Sequence, residues 1–187
     1  MQIFETPAAL TLWLQTQGIN TSRWGQGVAK SVADLWQEVR HAESTLYNEA
    51  PLRRVRVVEL LVLDGDRQLI EAAQTLVTGQ VRRRNRPPSE KMHPNEDPIT
   101  AARRCLCEEL GVDPSAIQIV PTQSIGERQE YTESASYPGL ATQFTFYQVT
   151  AQVSHLPTTA FTTINAAHAH GDPVVAHQWC WQTYPIH

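Results

Sequence analysis

The sequence predicts an α/β fold: a sandwich with a mixed sheet and packed helices, plus an N-terminal helical extension. Three observations predict it. Residues before Pro51 carry apolar side chains at helical spacing, and the pattern changes to a strand-like period at Leu52. A long polar stretch then runs into a capped helix at Asp97. The expected division is 1–50 for the extension and 52–187 for the main domain.

Thr6, Pro7, Leu10, Leu12, Trp13 and Leu14 read as a Thr-capped helix with proline in its first turn, stopped by Gly18. Val28, Val32, Leu35, Trp36 and Val39 follow as a second amphipathic helix. From Leu52, LRRVRVVELLVL and RQLIEAAQTLV are β-rich runs joined at Asp64-Gly65-Asp66, a hairpin signal. GQVRRRNRPPSEKMHPNEDP has no apolar period and is expected to be a loop. Asp97 and Pro98 open a helix with Ile99, Ala102, Leu106 and Leu110 on its buried stripe and Gly111 as its stop. AIQIVPTQSIG, TQFTFYQVTAQV and VVAHQWCW read as strands, separated by a Glu-rich loop, ERQEYTESASYPGL, and a His-containing loop, AAHAHGDP.

Composition excludes several classes. At 187 residues, with 41% hydrophobic and 18% charged, the chain has the make-up of a folded globular protein. A net charge of -4 gives no global basic field, so general binding to nucleic acid or anionic membrane is not expected. The apolar run Leu60 to Leu63 is far too short to span a bilayer, and no signal or transit peptide is read at the N-terminus. Cys105, Cys107 and Cys180 form neither metal-ligand spacing nor an even disulfide framework, which points to a reducing, cytoplasmic setting. No G-x-S-x-G, P-loop or dinucleotide fingerprint occurs.

The helix opened by Asp97 carries the main motif. Placed with its last glycine on Gly111, the pattern G-x5-E-x7-R-E-U-x-E-E-x-G-U, where U is bulky and aliphatic, matches Glu96, Arg104, Leu106, Glu108, Glu109, Gly111 and Val112. It departs at Glu90, where a glycine is expected, and at Cys105, where a glutamate is expected. This is the box of the Nudix hydrolase superfamily, and the segment resembles a divergent, degenerate member. WGQGVAKSVADLWQEV, SEKM at Ser89 to Met92, and SYPGL at Ser136 to Leu140 are similar to a little-characterised Nudix-like group of photosynthetic organisms. In that group SEKM stands in place of the glycines.

The resemblance implies a Nudix-type α/β/α sandwich. It implies Glu108 and Glu109 as remnant catalytic residues and ligands of Mg²⁺ or Mn²⁺, weakly held, and Glu96, Arg104 and Gly111 as structural parts of the box. At 3.6 residues per turn, positions 105, 108 and 109 are expected on one helical face. A neutral thiol at Cys105 removes one oxygen donor that a hard cation requires. The alternative for Glu108 and Glu109 is a solvated face paired with Arg103 or Arg104.

Arg82, Arg83, Arg84 and Arg86 precede the box, and they and Lys91 are candidates to bind substrate phosphates. The competing reading is a solvated loop that shields a sheet edge. His168 and His170 form an H-x-H, read as an ordinary loop before a metal site. Glu127, Glu130 and Glu133 are candidates for a further carboxylate, with solvation as the default. Trp13, Trp36, Trp179 and Trp181 are read mainly as packing residues, the last two sharing a strand face with His177.

Two functions remain open. One is a module that holds a nucleotide-diphosphate-like small molecule or a protein partner without efficient hydrolysis. The other is a divalent-metal-dependent hydrolase of nucleoside diphosphate-linked compounds, a Nudix-like pyrophosphohydrolase.

Overall fold

The computed structural model describes residues 2–47, 51–121, 126–166, 168 and 173–184. The chain forms two compact units. The first is Met1–Val57, Lys91–Glu96 and Glu127–Phe146, and the second is Val58–Glu90, Asp97–Gly126 and Tyr147–His187.

In the first unit, helix α1 spans Pro7–Thr16, and Thr6 Oγ1 accepts from the Ala9 N–H at 3.1 Å, as the sequence leads one to expect. Helix α2 spans Val32–Arg40. It begins later than the apolar spacing suggests because Ser31 and Asp34 form a capping box, leaving Val28 79% exposed before it. Phe4, Leu10, Leu14, Trp24, Leu35, Leu46, Tyr137 and Leu140 make a common core. Strand β1, Thr45–Tyr47, falls where only helix is expected, and it pairs antiparallel with the start of β2, Leu52–Asp64.

The second unit is built on a sheet. Strand β3 spans Arg67–Leu76, β4 Val81–Arg86, β5 Ser89–Lys91, β6 Ile117–Ile119, β7 Gly126–Glu133, β8 Ala141–Val153, β9 Phe161–Ile164 and β10 Val174–Thr183. The order is β6-β8-β2-β3-β10-β9, with β4 on β3, β5 on β2 and β7 on β8. Strands β2, β5, β7 and β8 each contribute residues to both units, with all of β7 but Gly126 in the first. The α/β class with a mixed sheet is therefore present.

Two segments expected as loops are strands. The arginine-rich stretch supplies β4 and β5, and the Glu-rich stretch supplies β7. Neither shows an apolar alternation, because every residue of β7 is exposed and all of β4 but Arg84 is too. These strands are held by backbone ladders and not by burial. No helix among the described residues is long and apolar enough to cross a membrane.

Helix α3, Pro98–Leu110, packs on β9 and β6 within the second unit. Asp97 caps it, accepting from the N–H groups of Ile99 and Thr100 at 3.0 and 3.1 Å, and Gly111 closes it with φ 66°, where an L side chain is strained.

Candidate functional site

The orientation of α3 decides what the box residues can do. Its buried residues are Ala101, Ala102, Cys105, Leu106 and Leu110, whereas Ile99, expected on that stripe, is 41% exposed. At about 100° per residue, the middle of this face falls near positions 102 and 109. Ile99 thus lies at its margin. Cys105 and Glu109 share the buried face, while Glu108 turns outward. Positions 105, 108 and 109 keep the angular spacing of one face, but burial grades across it, with Cys105 buried, Glu109 half-buried and Glu108 exposed.

Glu108 is half exposed and pairs with Arg104 at 3.2 Å, one turn away, as the solvated-face alternative requires. Glu109 behaves differently. Its Oε2 is buried and has no hydrogen-bond partner among the described residues. Burial pushes its carboxyl well above the usual range, and the nearby Glu90 and Glu71 push it further; Arg84 offsets this only in part. Cys105 is fully buried, and burial, then Glu109 and Glu90, raise its thiol well above an ordinary cysteine. A buried thiol at Cys105 and a Glu108 already paired with Arg104 are not the free oxygen donors that a hard divalent cation needs. No group of three or more His, Cys, Asp or Glu among the described residues is arranged to hold a metal ion.

The C-terminal end of α3 is tied to the sheet. Thr163 Oγ1 donates to the Glu109 carbonyl at 2.6 Å, and Trp179 Nε1 donates to Thr163 Oγ1 at 2.8 Å. Beside them lies a polar set that sequence reasoning did not single out. Glu71 is 3% exposed; its Oε1 is 2.7 Å from His177 Nδ1, and its Oε2 accepts from Arg84 Nε at 3.1 Å. Burial alone would raise Glu71, but the bond from His177 and the charge and bond of Arg84 outweigh it and lower the carboxyl. The available signal was a glutamate within a short apolar run, Leu69-Ile70-Glu71-Ala72-Ala73.

The arginine candidates occupy β4. Arg82 bonds the Gln74 side chain, Arg83 and Arg86 are exposed, and Arg84 reaches Glu71. The β3–β4 register slips between Glu71/Arg86 and Ala73/Arg83, where Asn85 takes φ 49°. This bulge sits beside the Arg84–Glu71 contact and redirects the strand there.

Lys91 and Glu96 belong to the first unit. Lys91 pairs with Glu38 at 2.6 Å and Glu43 at 3.3 Å. The Glu96 carboxylate accepts from the His93 N–H at 2.8 Å, and its carbonyl accepts from Arg56 at 3.1 Å. Segments singled out for their resemblance to the Nudix-like group meet in this unit. Trp24 Nε1 donates to the Pro138 carbonyl at 2.9 Å, its ring lies 5.1 Å from that of Tyr137, and the Lys30 N–H donates to the Ser136 carbonyl at 2.8 Å. Met92 is 2% exposed, which gives the SEKM segment a packing role.

Glu127, Glu130 and Glu133 are exposed on β7, where Glu130 pairs with Arg128 and Glu133 Oε1 accepts from the Gly139 N–H at 2.8 Å. His170 lies outside the described residues. Cys105, Cys107 and Cys180 are free thiols.

No family model and no curated protein matches the chain. Among solved structures it is similar to the E. coli ORF135 protein, at 17% identity over 70% of this chain and 74% of that one, with a TM-score of 0.38. It is also similar to C. elegans Ap4A hydrolase, at 17% identity over 69% of this chain and 80% of that one, with a TM-score of 0.37. The binary complex of that hydrolase gives 18% identity over 69% and 80%, again with a TM-score of 0.37.

Proposed function

We propose that this chain is a Nudix-like binding module that takes a diphosphate-type small molecule and does not hydrolyse it efficiently. The observation that supports this most directly is the state of α3, where Cys105 and the Glu109 carboxyl are turned into the protein and Glu108 is engaged by Arg104. A hydrolase of the box type needs carboxylates free to hold Mg²⁺ or Mn²⁺ around the reacting phosphate. Binding an anion needs only well-placed cations. The arginines of β4 supply them, with Arg83 and Arg86 exposed and Arg82 and Arg84 anchored on Gln74 and Glu71. Free thiols accord with a cytoplasmic setting.

The test is a panel of nucleoside diphosphates and inorganic pyrophosphate with Mg²⁺ or Mn²⁺, read by both thermal shift and phosphate release. Binding without release is the expected result. A ligand at a hundredfold excess over Kd stabilises by about 2.7 kcal/mol, well within reach of melting curves. Turnover within the usual enzyme range of roughly 1–10³ s⁻¹ would overturn the reading in favour of a metal-dependent hydrolase.

A further inference from the structure

The Glu71–His177 pair is a site that the box does not account for. His177 is 3% exposed and lies opposite Thr163 in the β9–β10 ladder, the same Thr163 that bonds the end of α3. Its ring stacks on Trp179 at 5.6 Å and 21°, and Trp179 stacks in turn on Phe161 at 6.5 Å. Glu71 holds Nδ1 at 2.7 Å and is itself fixed by Arg84 at 3.1 Å. A carboxylate on Nδ1 favours the tautomer that carries its proton there, which leaves Nε2 with a lone pair. That Nε2 is buried and has no hydrogen-bond partner among the described residues.

An acceptor withdrawn from water and left unmatched is costly. Here it is also held rigidly, by the Glu71 hydrogen bond on one side and an aromatic stack on another, as an acceptor prepared for one donor is. The constellation grades outward: Glu71 and His177 are buried, Arg84 is 26% exposed, and Arg83 and Arg86 are exposed.

We infer that His177 Nε2 accepts a hydrogen bond from an amino or hydroxyl group on the non-phosphate part of the ligand, while the arginines of β4 meet its anionic part. This rests on the diphosphate reading above for the second half only. Adenosine has an exocyclic amine and ribose hydroxyls but no phosphate, and pyrophosphate has the reverse, so the two probes separate the claims.

The experiment is ¹⁵N NMR of the full chain with labelled histidine, titrated with each probe. Nε2 of His177 is expected to be unprotonated in the free protein. Adenosine should move its resonance saturably, and pyrophosphate should leave it in place while perturbing arginine side chains. A folded His177→Gln variant should bind adenosine at least tenfold more weakly. The inference is overturned if Nε2 carries the proton in the free protein, or if adenosine leaves the resonance unmoved because an internal water alone satisfies it. Both readouts come from the unsubstituted protein, so a variant that fails to fold does not blunt them. A response to adenosine with none to pyrophosphate upholds the His177 site and sinks the diphosphate reading.

Discussion

Arg53 Nη2 donates to Glu38 Oε2 at 2.6 Å, with both side chains buried, and this contact ties α2 to the start of β2 inside the first unit. Ser44 Oγ donates to the same oxygen at 2.8 Å, and Lys91 and Lys30 meet Oε1 at 2.6 and 2.9 Å. One carboxylate thus organises the helices, β2 and the SEKM segment. Removing it strands the buried Arg53 charge, so Glu38→Gln should destabilise by about 3–5 kcal/mol in urea denaturation. A loss below about 1 kcal/mol would put the pair in the class of surface ion pairs.

The same carboxylate sets an acid limit. Burial raises Glu38, but Arg53, Lys91 and Lys30 outweigh it and hold the carboxyl well below the usual range. A folded-state pKa below the unfolded value, about 4.3, means that its contribution is fully present above that pH and is lost as pH falls towards the folded value. Stability should therefore drop below about pH 4.3 more steeply in the starting protein than in Glu38→Gln. Parallel acid limbs in the two proteins would contradict this.

Glu109 has the opposite sign. Burial, with Glu90 and Glu71, raises its carboxyl, so the folded state holds the proton more tightly than the unfolded chain does. Stability from this group is complete below the unfolded pKa and is lost as pH rises through the folded one. Glu109→Gln keeps the shape and removes the penalty, so its stability relative to the starting protein should grow as pH rises above about 4.3. A gain that is flat with pH would show that Glu109 is not perturbed by folding.

Cys105→Glu, which supplies the glutamate of the box pattern that the segment resembles, places a carboxylate where exposure is zero and where Glu109 and Glu90 already repel negative charge. An exposed like-charge pair on a helix costs roughly 0.2–0.5 kcal/mol, but a buried unpaired charge is of the class that costs about 3–5 kcal/mol. The larger figure is expected in the absence of metal, read by urea denaturation. If Mn²⁺ restores most of that loss, α3 turns to present a metal site and the binding-module reading fails.

Accessible thiols should react in an order set by the fold. Cys105 is buried with its thiol raised, whereas Cys107 and Cys180 are partly exposed. Alkylation of the native protein should spare Cys105 until denaturant is added, because a buried, protonated thiol is a poor nucleophile. Labelling of Cys105 at the rate of Cys180 under native conditions would remove the buried-face assignment of α3.

Much of α3 was legible because its signals are local: Asp97 and Pro98 start it, Gly111 stops it, and the apolar spacing fills it. The Thr6 cap was legible for the same reason. What could not be read was the rotation of α3, since box spacing puts 105, 108 and 109 together on a helix but does not say which side meets the sheet. Strands β4 and β7 were missed because their side chains face water, so no period marks them. Glu71 and His177 are far apart in sequence, and their pairing arises only from the β3–β10 ladder.

The arginines of β4 should divide into two kinds. Arg83 and Arg86 are exposed, so their replacement by glutamine should leave the melting temperature nearly unchanged. If they meet an anionic ligand, pyrophosphate affinity should fall and its dependence on salt should flatten, because screening acts on the charges that were removed. Arg84→Gln should differ. It removes a charged partner from the buried Glu71 carboxylate, whose contact with His177 then stands without the second anchor. A hydrogen bond to a charged group contributes about 1.5–3 kcal/mol, and a loss of that order is expected in denaturation, together with weaker adenosine binding as the imidazole loses its fixed orientation. Calorimetric titration and urea denaturation of the Arg83→Gln/Arg86→Gln pair beside Arg84→Gln separate the roles. Unchanged pyrophosphate affinity in the former would return β4 to a solvated edge. Unchanged stability in the latter would mean that Glu71 and His177 hold each other without Arg84.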